Sequence, residues 1–157
     1  MKKRIAIIAT LVSLMPMGKT VLIVTGAVIT SAGFMLAASE KAYAENAEFY
    51  YKRAINKAEE GDFYGAIADY SKAIEINPRY SKAYNNRGNA KRTLKDYDGA
   101  IADYSKTIEI NPNNGSAYKN RGITKELIGD LKGACADWIS ASALGLKETD
   151  LWILTQC

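Results

Sequence analysis

The chain has no histidine, two cysteines and three prolines among its 157 residues. Without histidine, two cysteines form neither a zinc ligand set nor a Cys-His nucleophile pair. The sequence also lacks a glycine-rich phosphate loop and the G-x-S-x-G turn that carries a nucleophilic serine. We therefore expect no catalytic site, no metal site and no cofactor.

Acidic side chains are scarce at the start of the chain. Residues 1–44 contain five Lys or Arg and one acidic residue, Glu40, out of totals of 21 and 17. Residues 45–157 therefore hold 16 of each sign and are neutral, although the whole chain has a formal net charge of +4. Because the basic charge belongs to the leader, there is no electrostatic argument for a nucleic-acid partner.

The leader, residues 1–44, has the composition of a targeting segment. A basic start precedes a long apolar stretch, and an A-x-A cleavage pattern ends at Ala44. We expect a signal peptide that is cleaved near Ala44 and an exported protein, with Met17 as a second position for the start. The alternative is an N-terminal membrane anchor formed by the uncharged residues 21–38, which are about long enough to cross a bilayer.

An internal repeat organises the rest of the chain. Gly65–Pro78 (GAIADYSKAIEINP) recurs 34 residues later as Gly99–Pro112 (GAIADYSKTIEINP), and a weaker third copy begins at Gly133. Fourteen positions with one mismatch cannot be an effect of composition, so the repeat is established before any structural assignment. Apolar residues within the copies follow the i, i+3, i+4, i+7 spacing of a helix, and each unit holds two helix-length patterns.

Marker positions in the three units keep a constant chemical type. Aromatic residues recur at the fourth and twenty-fourth positions and small residues at the eighth and twentieth, while Pro78 and Pro112 close the first two units. The four series are Tyr50, Tyr84, Tyr118; Tyr70, Tyr104, Trp138; Ala54, Gly88, Gly122; and Ala66, Ala100, Ala134. Small residues let paired helices approach closely, and aromatic rings fill the space between one pair and the next.

This pattern resembles the tetratricopeptide repeat (TPR), and the end of the chain is similar to that of small exported bacterial members of the family. The resemblance implies an all-α fold, a right-handed superhelical solenoid of three helix-turn-helix units within residues 45–148. The units would be residues 47–80, 81–114 and 115–148. A capping helix at 149–157 would cover the last exposed groove with Leu151, Trp152 and Leu154.

The resemblance also implies a non-enzymatic interaction module, an adaptor or assembly scaffold that binds a peptide or protein in a concave groove. The first helices of successive units line that groove in the family. By position, its residues here would include Tyr51, Ile55, Lys82, Asn85, Asn86, Asn89, Arg92, Lys119, Asn120 and Ile123. The alternative is a self-associating module whose solenoid ends stack into a homo-oligomer. Some family members grip chaperone tails with a two-carboxylate clamp, but only Asn86 matches that clamp, which argues against a chaperone-tail receptor.

Two pairings are predicted from the repeat register. Cys135 stands where the other units have Ile, and in an exported protein it can form a disulfide with Cys157. The alternative is a buried thiol and a free terminal thiol. Recurring Arg and Asp residues lie on the paired helices of each unit, which predicts salt bridges such as Arg87–Asp103. We expect these to be solvated surface pairs worth ~0–1 kcal/mol each.

Overall fold

The computed structural model of this chain describes residues 21–24, 27–30 and 46–157. Within the leader, β1 (Val21–Val24) pairs antiparallel with β2 (Ala27–Thr30). These strands were not part of the all-α expectation, and their Val, Ile and Thr residues are types that favour strands. The predicted cleavage position at Ala44 lies outside the described residues. Within the described part of the chain, no helix combines the length and the hydropathy needed to cross a membrane.

Residues 46–157 form a unit of their own that consists of helices joined by short turns. This part of the chain confirms the predicted all-α helical solenoid. Its seven helices are α1 (46–59), α2 (Phe63–Ile76), α3 (Ser81–Thr93), α4 (Tyr97–Ile110), α5 (Gly115–Leu127), α6 (Leu131–Ala143) and α7 (Thr149–Gln156).

The second helix of every unit begins at the same kind of cap. The side chain of Asp62 accepts a hydrogen bond from the backbone N–H of Gly65, at 2.9 Å. Asp96 and Asp130 cap α4 and α6 in the same way. Each cap satisfies one N–H group that the first turn of a helix leaves unpaired.

Small residues and aromatic rings form the core between consecutive helices. Ala54, Ala66 and Ala83 are fully buried beside Tyr70 in the first such cluster. From α2 to α7, each helix packs against the next one in sequence. Because the turns are short, neighbouring helices run antiparallel, and α1, α3 and α5 come to lie side by side. We call the surface that these three helices share the groove surface.

Candidate functional site

Amide side chains connect the three helices of the groove surface. Asn86 on α3 donates to the Tyr51 hydroxyl on α1, at 3.1 Å. Asn120 on α5 donates to the side-chain oxygen of Asn89 on α3, at 3.2 Å, and that oxygen also accepts a 2.8 Å bond from Tyr104. The structure therefore places four of the sequence-predicted groove residues in contact across successive units.

A cavity of about 350 Å³ opens between α1, α2 and α3. The predicted groove residues Ile55, Asn86 and Asn89 line it. Sequence reasoning missed the rest of its lining, which includes the apolar side chains of Ala58, Phe63 and Ala90, the Tyr70 ring and the carboxylate of Glu59. One feature of the sequence could have indicated the cavity. Ala58 has a short side chain, whereas the longer Arg92 and Glu126 occupy the same position in the other two units.

Three tyrosines cluster at the α1 end of the groove surface. The Tyr51 ring lies 4.9 Å from the Tyr80 ring and 5.9 Å from the Tyr70 ring, measured between centroids. Burial raises the pKa of Tyr70 to about 12, and burial also raises the pKa of Tyr51 and Tyr80. Tyr80 donates a hydrogen bond to Glu48, and this bond holds the pKa of the Glu48 carboxyl below its usual value. The three phenols therefore stay protonated at neutral pH, with Tyr80 donating to Glu48 and Tyr51 accepting from Asn86.

The remaining predicted groove residues have mixed environments. Lys82 is exposed and Ile123 is half-buried. Lys119 forms a 2.6 Å ion pair with Glu148, so its charge is partly used within the chain. Among the described residues, the side-chain oxygen of Asn85 and the Nε of Arg92 are buried without a hydrogen-bond partner.

The predicted cross-helix salt bridges are present, but the expectation that they are solvated is wrong. Arg87 bonds Asp103 through two nitrogens at 2.7 and 2.9 Å, and Lys91 reaches the same carboxylate at 2.9 Å. The Asp103 side chain is only 5% exposed. Arg87 and Lys91 of the same unit enclose the carboxylate, and the repeat register predicts the pairing but not this burial. The first and third units repeat the arrangement with Asp69 and Asp137.

The last helix is attached by a disulfide and a tryptophan. Cys135 on α6 and Cys157 after α7 are joined by a disulfide, and the Trp152 ring lies 5.5 Å from the Trp138 ring. The expectation that Leu151 and Leu154 cover the last groove is wrong, because they are 64% and 84% exposed. Residues three or four apart share a helix face, so Leu151 and Leu154 lie on one face, and the turn of Trp152 towards Trp138 directs that face outward.

Comparisons with known proteins agree with this architecture. A family model described as Tetratricopeptide repeat matches residues 81–114, and one described as TPR repeat matches residues 57–94. An uncharacterized protein of Methanocaldococcus jannaschii is 40% identical over 50 residues, which cover 32% of this chain and 58% of that protein. The Tetratricopeptide repeat protein 36 homolog of Nematostella vectensis is 40% identical over 48 residues, 31% of this chain and 26% of that protein. The chain thus spans only part of the length of the curated relatives it matches.

Solved structures share the fold at low sequence identity. The Arabidopsis OM64 TPR domain has a TM-score of 0.69 at 24% identity, covering 73% of this chain and 99% of that one. The TPR2B domain of yeast Sti1, in its pHsp70 complex, has a TM-score of 0.67 at 24% identity, with coverages of 70% and 94%. The first TPR of Spaghetti (RPAP3), bound to the HSP90 peptide SRMEEVD, has a TM-score of 0.68 at 21% identity, with coverages of 71% and 90%.

Proposed function

This chain is a tetratricopeptide repeat protein, and we propose that it is a non-enzymatic adaptor that binds a peptide segment on its groove surface. The observation that carries the proposal is the open cavity of about 350 Å³ among the groove residues Ile55, Asn86 and Asn89. Two proteins of the same fold, Spaghetti and Sti1, have been solved with HSP90 and Hsp70 ligands, and their shared architecture supports a peptide-binding role here.

The chemistry of the groove surface suits a peptide backbone. An asparagine side chain donates and accepts hydrogen bonds at once, as a peptide group does. Asn85 is a half-buried residue of the groove surface, so a bound peptide can form a hydrogen bond with its amide group. A segment lying along α3 would meet the Asn85 amide and the cavity that Asn86 and Asn89 line.

The proposal can be tested with peptides that bind the purified chain. These are selected from a random dodecapeptide display library. Asn85→Ala should weaken binding of the selected peptides about fivefold, the effect of one lost side-chain hydrogen bond, and should leave the melting temperature almost unchanged. Ala102→Ser is the matched control, since Ala102 is exposed on α4, outside the groove surface. Equal binding by both variants would show that the peptide lies elsewhere.

Self-association is a second candidate function, and exposed apolar side chains favour it. Leu151 and Leu154 on α7 face outward at one end of the described helices, and Phe49 on α1 is 57% exposed at the other. End-to-end stacking of copies would cover these side chains. Sedimentation velocity across a range of concentrations distinguishes the candidates. A size that grows with concentration in the native chain, but not in a Leu151→Ser, Leu154→Ser variant, would favour stacking.

Export of the repeat region, after cleavage near Ala44, remains part of the proposal. The Cys135–Cys157 disulfide supports it, because disulfides persist in oxidising compartments and are rare in reducing ones. The intact mass of the protein from its native cells tests this. A mass that begins at Glu45, with thiols that label only after reduction, is expected. A mass that retains residues 21–38 would instead favour the membrane-anchored alternative.

A further inference from the structure

We propose that the cavity between α1, α2 and α3 receives the side chain of an arginine from the bound peptide, with Glu59 as its ion-pair partner. This inference rests on the proposed function and adds the chemistry of the ligand. The cavity has an apolar floor formed by Ile55, Ala58 and Ala90, and the rings of Phe63 and Tyr70 form part of its wall. Glu59 carries the one charge among the residues that line it.

Glu59 is available to a ligand. Its side chain is exposed, and among the described residues it forms no ion pair, although Glu48 and Asp69 of the same unit do. A carboxylate beside aromatic faces attracts a cation in two ways, through its charge and through the ring quadrupoles. A carboxylate-bearing side chain would be repelled from the same place, which sets the sign of the ligand charge.

In the second unit, a side chain of the protein itself lies at the position equivalent to Ala58. Arg92 stands 34 residues after Ala58, just as Tyr104 stands 34 residues after Tyr70. The Arg92 Nε atom is buried, and the guanidinium lies near the Tyr104 hydroxyl. Burial raises the pKa of Tyr104, and this guanidinium opposes the rise. In the first unit Ala58 leaves the corresponding space beside Tyr70 open.

Arginine fits this space better than other side chains do. Its guanidinium is planar and weakly hydrated, stacks on aromatic faces, and presents a fork of donors that matches a carboxylate. The cavity volume of about 350 Å³ is near the lower end of ligand sites, roughly 300 Å³, which suits one side chain. An arginine of the bound peptide would thus place a guanidinium beside Tyr70, as Arg92 places one beside Tyr104 in the second unit.

An NMR titration of the isotope-labelled full chain with N-ethylguanidinium tests the assignment. N-ethylurea, of similar shape but neutral, and butylammonium, a lysine analogue, are titrated in parallel. We expect saturable shifts at the amides of Ala58, Phe63 and Ala90 with N-ethylguanidinium, and much weaker effects with the other two. Glu59→Gln should weaken N-ethylguanidinium binding about fivefold, the loss expected for a partly exposed cation site. Glu60→Gln removes the same charge from the adjacent exposed position and should leave binding unchanged.

A third variant, Ala58→Arg, places in the first unit the residue that the second unit has. It should abolish probe binding because its own guanidinium fills the cavity. Should this variant fail to fold, as judged by circular dichroism, the comparison of Glu59→Gln with Glu60→Gln decides alone. Equal binding of N-ethylurea, equal effects of the two Gln variants, or preferential binding of butylammonium would each overturn the arginine assignment.

These results separate this inference from the proposed function. Selected peptides that need Asn85 but tolerate Glu59→Gln would leave the peptide groove in place and remove the arginine site. Saturable N-ethylguanidinium binding in a chain that selects no peptides would support the cation site and remove the peptide groove.

Discussion

Glycine stands at the eighth position of the second and third units because an aromatic ring lies against the helix backbone there. A Cβ atom on Gly122 would lie 2.5 Å from the indole nitrogen of Trp138, and one on Gly88 would lie 2.8 Å from the Tyr104 ring. The first unit accommodates Ala54 at the same position, fully buried. All three units need a small residue at this position, but the space between the helix backbone and the facing side chain differs from one pair of helices to the next.

Gly122→Ala should destabilise the protein. The added methyl group forces the buried Trp138 ring to move, at a cost of about 1–3 kcal/mol. This exceeds the gain of about 1 kcal/mol that Ala brings to a helix interior. Urea unfolding followed by circular dichroism measures the difference, with Ala54→Gly as the control in which helix propensity falls without a clash. An unchanged or higher unfolding midpoint for Gly122→Ala would contradict the packing argument.

Asp69 should make stability depend on pH in the acid range. Hydrogen bonds from Arg53, aided by Lys57, hold the pKa of its carboxyl at about 2. The unfolded chain has the ordinary value, about 4. The folded-state pKa is depressed, so the stabilisation is complete above about pH 4 and is lost as the pH falls towards about 2.

The difference in melting temperature between the native chain and Asp69→Asn tests this dependence, because it cancels the titration of the other acids. The native chain should be more stable at about pH 5, and the difference should shrink steadily as the pH falls through the range between the two pKa values. A constant difference across that range would show that Asp69 stabilises the fold by packing and not by its charge.

At the scale of elements, the helices were predictable and the cavity was not. The observed starts of α2 at Phe63 and of α4 at Tyr97 are separated by the 34-residue period of the repeat. A repeated cap and a repeated apolar period specify these boundaries in every unit. The cavity depends on one short side chain, Ala58, and on its distance from Phe63. The periodicity of the repeat does not determine the distance between these two side chains.

The burial of the salt bridges and the orientation of α7 could not be predicted from the sequence either. Arg87 and Lys91 converge on the carboxylate of Asp103 and leave its side chain 5% exposed, and the repeat register gives the pairing but not this degree of burial. In α7, Leu151 and Leu154 are as apolar as Trp152. Only the contact with Trp138 and the bond to Cys135 decide which side of this short helix faces inward.

The attachment of α7 should depend on the disulfide. Cys135 and Cys157 are 22 residues apart, and closing a loop of this size is worth about 3 kcal/mol in the chain-entropy model. Cys157→Ser should therefore lower the melting temperature and change the tryptophan fluorescence, because Trp152 leaves Trp138. Dithiothreitol should have the same effect on the native chain and none on the variant. Equal melting temperatures with and without reductant would mean that packing alone holds α7.

The whole array is held together by contacts between neighbouring units, and the middle unit is bonded on both sides. Arg87 on α3 donates to Ser71 on α2, and Arg121 on α5 donates to Ser105 on α4, each at 2.9 Å. In the third unit the corresponding residue is Ile139, which is 54% exposed. Because repeats interact mainly with their neighbours, stability should fall from the middle of the array towards its ends.

Hydrogen–deuterium exchange followed by mass spectrometry tests this gradient. Amides in α3 and α4 should exchange most slowly, and those in α1 and α7 most rapidly, since each end helix has a neighbouring unit on one side only within residues 46–157. Ser105→Ala removes the bond to Arg121 and should accelerate exchange in α5 and α6 more than in α1 and α2. Ser140→Ala is the matched control, because the Ser140 hydroxyl bonds only within its own helix, to the Ala136 carbonyl. If all helices exchanged at one rate in the native chain and in both variants, the units would unfold as a single block, and the Arg–Ser bonds between them would not set the order of opening.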